Sequence, residues 1–237
     1  YRDDDGRLYM SFVRFGGGNH VWLEEVTMQN GVVTPVAGTA TCVISPTEAY
    51  ENDGYGSISE GGVLYKHGGY YYMIYASGHY KGHYGESYAV AEQILGPYTK
   101  YAYNEILTHN AAVDGVGDGI FIPSPDGSEL FMVYHSHAVP GKVEPRQTCI
   151  DRVKFVPAEN GGPDILTVYG PTTTAQPLPS AARRGDMDGD GRLTMRDALL
   201  LCGKIGGGQP YSEIGDLDKN GVNDAKDVIA LLAELTK

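Results

Sequence analysis

The first 170 residues show a repeated alternation of apolar and polar positions, broken by turns rich in Gly and Asp. In the opening segment Leu8, Met10 and Phe12 occupy every second position, the period of a strand with one buried face. Similar pairs of strand-like segments recur at 3–15 with 19–26, at 61–77 with 87–98, and at 117–137 with 146–155. Repetition of a small antiparallel unit predicts an all-β body of about three propeller blades, although a sandwich of hairpins fits the same pattern.

The pattern changes twice after residue 170. Residues 171–184 contain mostly Pro, Thr, Ser and Ala without periodicity, which predicts an extended linker. Residues 185–237 contain two acidic loops, each followed by an apolar helical stretch, at 198–205 and 228–235. We therefore predict a β body at 1–170, a linker at 171–184 and a small all-α module at 185–237.

The charge of the chain restricts its partners. With a formal net charge of −12 it lacks the Lys and Arg clusters that phosphate binding needs, so we do not expect nucleic acid as a partner. Solubility accounts for most of this acidity, but eight of the 30 acidic residues lie in two stretches, 186–197 and 216–227. The three cysteines form no disulfide or zinc pattern. No apolar run is long enough to span a bilayer.

Both acidic stretches fit a twelve-residue calcium loop, with oxygen-bearing side chains at positions 1, 3, 5, 9 and 12 and Gly at position 6. Calcium is a hard cation that takes six to eight oxygen ligands, and Gly permits the sharp turn after which position 7 offers its carbonyl. The predicted ligands in the first loop are Asp186, Asp188, Asp190, Arg192 through its carbonyl, Thr194 and Asp197. Those in the second loop are Asp216, Asp218, Asn220, Val222 through its carbonyl, Asp224 and Asp227. Two loops in one register predict two calcium ions, and an acidic turn without metal is the simpler alternative.

The paired loops, with Asp instead of Glu at position 12, resemble a type I dockerin. The resemblance implies that residues 185–237 bind a cohesin domain of a scaffold protein, and that the protein is extracellular, attached to a scaffold or a cell surface. Recognition residues of the family lie at loop positions 10 and 11, often as Ser-Thr pairs; here these positions are Met195, Arg196, Ala225 and Lys226. At position 8, Asn223 replaces the usual aliphatic residue, and we expect Val222 to take over its packing. A calcium-stabilised module without a cohesin partner is the alternative.

The segments DDDGRLYMSF at 3–12, SEGGVLYKHGGYYYMIYAS at 59–77, GPY at 96–98 and SPDGSELFMVYHSH at 124–137 together resemble glycoside hydrolase family 43. The resemblance implies part of a five-bladed propeller that removes arabinofuranosyl or xylosyl residues from plant cell wall polysaccharides with inversion. It assigns Glu60 as the general acid. The family's catalytic base and its pKa-tuning aspartate are expected upstream of Tyr1, where the natural start of the chain is also expected. We therefore predict little or no hydrolase activity for residues 1–237 alone.

Weaker indications of the sugar site come from three further residues. Arg146, in EPRQTCIDRV, matches a family arginine that reaches the sugar pocket, and His135 and Trp22 are candidates for substrate binding. Of His135 and His137 we expect at most one to point inward. Asp118 stands where the family often has a histidine near a central metal or water. A non-catalytic carbohydrate-binding or structural propeller carried by the same C-terminal module is the alternative function.

Overall fold

The computed structural model describes residues 1–125, 127–180, 183–209 and 211–236. Positions 181 and 182 of the predicted linker lie outside the described residues. The chain divides into two compact units, one formed by Tyr1–Ile122 with Phe131–Thr173 and the other by Pro123–Leu130 with Thr174–Lys237. In the described ranges, no helix has both the length and the apolar character needed to cross a membrane.

The first sheet contains the strands β1 (Leu8–Phe15), β2 (Asn19–Gln29), β3 (Val32–Pro35) and β4 (Thr41–Ile44). All pairs are antiparallel, and the long strand β2 pairs with each of the other three. The alternation of Leu8, Met10 and Phe12 correctly indicates a strand, but the face it suggests is wrong, because the buried residue of β1 is Tyr9 and Met10 is 39% exposed. In β2 the inward residues Val21 and Leu23 are fully buried.

The second and third sheets repeat the four-stranded plan. In the second, β5 (Ser59–His67), β6 (Tyr70–Ser77), β7 (Gly85–Ala91) and β8 (Thr99–Lys100) pair in chain order. In the third, β9 (Gly117–Pro123), β10 (Leu130–Val139), β11 (Lys142–Val156) and β12 (Ile165–Val168) also pair in chain order. The prediction of about three repeated sheets is confirmed.

Apolar side chains of the first two sheets pack into one core. Its fully buried members include Val21 and Leu23 of β2 and Met73 and Tyr75 of β6. Each large apolar side chain removed from water stabilises the fold by about 1.5–3 kcal/mol. The turn sequence before β1 is fastened to the same core, because buried Asp3 accepts hydrogen bonds from the Tyr71 hydroxyl at 2.7 Å and from Lys66 Nζ at 3.1 Å.

The second unit contains the helices α1 (Met195–Gly206) and α2 (Ala225–Leu235), which begin three residues before the stretches predicted from the sequence. Thr194 and Asp224 cap the two N-termini, and each helix has a reciprocal capping box with the carboxylate three residues later. Leu201 and Leu231 are fully buried between the helices. The two halves therefore fold in the same way, as their repeat in sequence indicates.

Candidate active site and acidic loops

Glu60 lies at the start of β5, where the register between β5 and β6 shifts. The shift occurs at Gly61 and Gly62, two positions where the structure leaves no room for a side chain or needs a backbone conformation that favours glycine. Gly61 has a φ of +63, and a Cβ on Gly62 would lie 2.4 Å from Cγ1 of Val21. The Glu-Gly-Gly sequence thus brings the backbone of β5 against β2 and leaves the glutamate half-buried at the strand's beginning.

Two neutral donors hold the carboxyl group of Glu60. Asn19 Nδ2 donates to Oε2 at 2.8 Å, and the Tyr84 hydroxyl donates to Oε1 at 2.9 Å. Burial, followed by the charges of Asp118 and Glu60, raises the pKa of Tyr84 well above its usual value. Tyr84 therefore stays protonated at neutral pH and fixes the plane of the glutamate carboxyl.

The strands β9, β10 and β11 bring Asp118, His135 and Arg146 to this place. His135 Nδ1 lies 3.6 Å from Asp118 Oδ2, Arg146 Nη1 donates to His135 Nε2 at 3.2 Å, and the His135 ring lies 5.8 Å from that of Tyr84. Burial, followed by the positive charge of Arg146, lowers the pKa of His135, so the imidazole is neutral at pH 7. Arg146 is joined to Glu60 through His135 and Tyr84.

Sequence reasoning missed Glu86 in β7. Glu60 is opposite Ala76 and Ala76 is opposite Glu86, so both glutamates occupy one face of the sheet, two strand spacings or about 10 Å apart at their Cα atoms. Glu86 is fully buried, and its Oε1 accepts from the Gly119 N–H at 2.7 Å. Among the described residues nothing bonds its Oε2. The available signal was an acidic residue two positions before the apolar stretch at 88–91.

The environment of Glu86 favours its neutral form. Burial is the largest cause, and the charges of Asp118 and Glu105 add to it, so that the pKa rises to about 8 despite the Gly119 hydrogen bond. Glu51 is also fully buried, but both of its carboxylate oxygens have hydrogen-bond partners. Its two oxygens accept from Tyr75, Ser59, the Glu48 N–H and Lys100 Nζ.

The expectation that only one of His135 and His137 points inward is wrong. Residues two apart on a strand share a face. His135 Nδ1 lies 3.6 Å from Asp118 Oδ2 in β9, and His137 Nδ1 lies 3.5 Å from Asp114 Oδ2 in the loop before β9. His137 is buried against Gly115, where a Cβ would lie 2.2 Å from its Nε2.

Trp22 lies apart from this group. It has the opposite orientation on β2 from Val21 and Asn19, and Arg14 stacks on its ring at 4.2 Å. On β6, Tyr71 and Tyr72 are buried and Tyr70 is half-buried, so these three rings offer little open surface to a sugar. The structure thus brings together Glu60, His135 and Arg146, and places Trp22 elsewhere.

The two acidic loops of the second unit have matching hydrogen bonds. At position 1, Asp186 accepts from the Gly191 N–H at 2.8 Å, and Asp216 accepts from the Gly221 N–H at 2.9 Å. Both glycines have a left-handed backbone, with φ of +80 and +82. At position 12, buried Asp197 also accepts from an N–H of its own loop, that of Met187 at 2.8 Å. Asp227 does the same with the Leu217 N–H at 2.8 Å.

The donor set of these loops fits calcium. In the first loop one carboxylate oxygen from each of Asp186, Asp188 and Asp190, at positions 1, 3 and 5, lies within 4.8 Å of the others. In the second loop Asp216, Asp218 and Asp227, at positions 1, 3 and 12, meet the same limit. Hard oxygen ligands at this spacing suit calcium, and a cation between them would remove the repulsion of three like charges.

The predicted recognition residues Met195, Arg196, Ala225 and Lys226 are all exposed at the beginnings of α1 and α2. Arg196 Nε lies 3.1 Å from Asp188 Oδ2 of the first loop. The expectation for Val222 is wrong, because that side chain is 56% exposed. Asn223 fills its position with hydrogen bonds instead, accepting from the Ser212 N–H at 2.6 Å and donating to the Ser212 carbonyl at 2.9 Å.

Repeated four-stranded antiparallel sheets of this kind are typical of β-propeller folds. The model of the glycosyl hydrolases family 43 matches residues 1–160, and the chain belongs to this family.

Three relatives illustrate the similarity. The chain is 30% identical over 171 residues to the β-D-galactofuranosidase xynD of Aspergillus niger, covering 72% of this chain and 46% of that protein. It is 30% identical to the structure of an endo-1,4-β-xylanase from Bacteroides thetaiotaomicron, with a TM-score of 0.64 and coverage of 72% and 57%. A thermostable family-43 glycoside hydrolase is 34% identical, with a TM-score of 0.64 and coverage of 76% and 59%. The chain thus spans about half the length of its curated relative.

Proposed function

We propose that the chain is part of an inverting hydrolase of plant cell wall polysaccharides, of the arabinofuranosidase or xylosidase type, and that Glu60 is its general acid. The observation that carries the proposal is the carboxyl group of Glu60, held by Asn19 and Tyr84 while still partly open to solvent. A general acid needs this combination of fixed orientation and access to the leaving oxygen.

The neighbouring residues suit the binding of a neutral sugar. Arg146 and the neutral His135 offer hydrogen-bond donors and acceptors beside the Glu60–Tyr84 pair. In an inverting enzyme a second carboxylate activates water on the opposite side of the bond, roughly 6.5–9.5 Å from the acid. Glu86 is neutral and buried and does not fit that task. The chain spans about half the length of its curated relative, and we propose that the base and the pKa-tuning aspartate lie outside residues 1–237, so that these residues alone should show little or no turnover.

The test uses the protein extended to its natural start. Glu60→Gln should reduce kcat/KM on an alkyl or unactivated arabinofuranoside or xyloside by about 10²–10⁴. The loss should be much smaller on a dinitrophenyl glycoside, whose leaving group needs no proton. Glu159→Gln, at an exposed position, is the matched control. Equal losses on both substrates would contradict the role of Glu60. An extended protein that binds polysaccharide without cleaving it would favour the non-catalytic alternative.

We further propose that residues 185–237 form a dockerin-type module that binds two calcium ions and then a scaffold cohesin, which makes the protein a secreted component of a cellulosome-type assembly. The matching loops and the exposed surface at Met195, Arg196, Ala225 and Lys226 support this proposal. Calorimetric titration of the chain with calcium and then with type I cohesins tests both parts. Asp197→Ala should remove one calcium equivalent, whereas the exposed Asp5→Asn should remove none. Calcium uptake without cohesin binding would leave a metal-stabilised module.

A further inference from the structure

A cavity of about 570 Å³ opens at the outer edge of the second sheet. Its walls are the end of β7, the turn that follows, strand β8 and the beginning of β12, and Glu60 is not among its lining residues. Val90 in its wall is opposite Tyr72 on β6, four residues from Ala76, which is opposite Glu60. At about 3.3 Å per residue and 4.8 Å per strand, the cavity lies roughly 16 Å from the general acid. It is a separate place on the first unit.

Tyrosine rings form one wall of the cavity. Tyr88 is buried and stacks on half-buried Tyr101, with ring centroids 4.8 Å apart and planes at 18°. Tyr70 adds a third, half-buried ring. Tyr103 lies edge-on to Tyr101 at 5.6 Å and is 79% exposed. Rigid aromatic surfaces of this kind bind the apolar face of a ring-shaped ligand at low entropic cost.

The polar groups at the cavity are mainly hydrogen-bond acceptors. Glu92 and Gln93 are exposed, and the Asp164 carboxylate, paired with His67 at 2.8 Å, is one-third exposed. The ammonium group of Lys100 does not offset these charges, because it binds Glu51 Oε2 at 2.5 Å and the Ser45 carbonyl at 2.7 Å. Among the described residues that line the cavity, two carboxylates face no unpaired cation, which disfavours an anionic ligand and suits hydroxyl donors.

We propose that this cavity is a second carbohydrate-binding site, which takes neutral pentose units of the polysaccharide that the protein hydrolyses. The identity of the polymer rests on the proposed function. The volume lies within the range of small-molecule sites, about 300–1,000 Å³. A polymer bound weakly at a second site stays close to the active site. Its effective concentration there rises, and the active site can act on another part of the same polymer.

The test titrates the full chain with xylopentaose and, separately, arabinopentaose by calorimetry, up to about 10 mM, in a Glu60→Gln background. We expect one of the two to bind. Tyr101→Ala should raise the Kd at least about tenfold, and Glu92→Ala should raise it about threefold. Tyr169→Ala, a half-exposed tyrosine of the same unit, should leave it unchanged. Trp22 fluorescence confirms folding of each variant, and Glu92→Ala decides the question if Tyr101→Ala does not fold.

Binding that Tyr101→Ala and Glu92→Ala leave intact but Arg146→Ala abolishes would overturn this inference and leave the proposed function standing. If neither oligosaccharide binds, this inference is overturned as well. The hydrolase assays of Glu60→Gln do not depend on the cavity, so they test the proposed function separately. In the extended protein, Tyr101→Ala should reduce hydrolysis of insoluble polysaccharide while leaving turnover of a small aryl glycoside unchanged.

Discussion

Substitution of Glu86 by Gln gives a quantitative test of the buried acid in the second sheet. The folded-state pKa of about 8 exceeds the ordinary value of 4.5. The contribution of neutral Glu86 to stability is therefore fully present below pH 4.5 and is lost as the pH rises through about 8. Gln copies the shape of the neutral acid and has no charge to form. The variant should match the wild type near pH 4.5 and be more stable by about 3 kcal/mol at pH 7. Above pH 8 the difference should reach at most about 5 kcal/mol.

Urea unfolding between pH 4.5 and 8.5, followed by fluorescence, measures this difference. Trp22 is the one tryptophan of the chain and lies in β2, so the signal reports the first unit. Calcium and salt are held constant, and exposed Glu159→Gln serves as the control. A stability difference that stays constant with pH would refute a neutral Glu86. A neutral Glu86 would also be refuted if the Gln variant were less stable than the wild type by more than about 2 kcal/mol at every pH. That result would mean that the fold requires an ionised carboxylate.

Three further changes have defined outcomes. Lys100→Met leaves the Glu51 carboxylate buried without its cation. The free energy of unfolding, measured in urea, should fall by about 3–5 kcal/mol. The double variant Lys100→Met with Glu51→Gln should recover part of this loss. Asn223→Ala removes both hydrogen bonds to the Ser212 backbone and should cost the second unit about 1–3 kcal/mol, measured by circular dichroism at saturating calcium. Burial raises the pKa of Asp3, but hydrogen bonds from Tyr71, the Asp4 N–H and Lys66 outweigh it and lower the pKa below 3.8. The contribution of Asp3 is therefore present above pH 3.8 and is lost as the pH falls through the lower folded-state value, so Asp3→Asn should lower the Tm more at pH 6 than at pH 2, measured by thermal unfolding.

The repeated features of both units were predictable because each is local in sequence. Alternation in segments such as 8–15 defines strands, and the 30-residue repeat with Gly191 and Gly221 at one position defines paired loops. Asn223 shows the limit of such reasoning. Its side chain forms hydrogen bonds with the backbone of Ser212, eleven residues earlier. Only the tertiary structure shows that an amide side chain can replace the usual aliphatic residue at this loop position, because the N–H and carbonyl of Ser212 face it.

The sequence by itself determined the β-sheets, the two loops and the family, through the Glu-Gly-Gly segment at Glu60 and the motif around Arg146. The tertiary structure decided which residues share a site. Arg146 lies near Glu60, with His135 and Tyr84 between them, although Glu60 and Arg146 are far apart in the chain. Trp22, in contrast, points to the opposite face of β2 from Asn19, which holds Glu60. Glu86 has its properties because Gly119 of another sheet and the surrounding core remove it from water. The burial of a residue and the charges that surround it depend on all its neighbours in the fold, so a local sequence pattern cannot predict them.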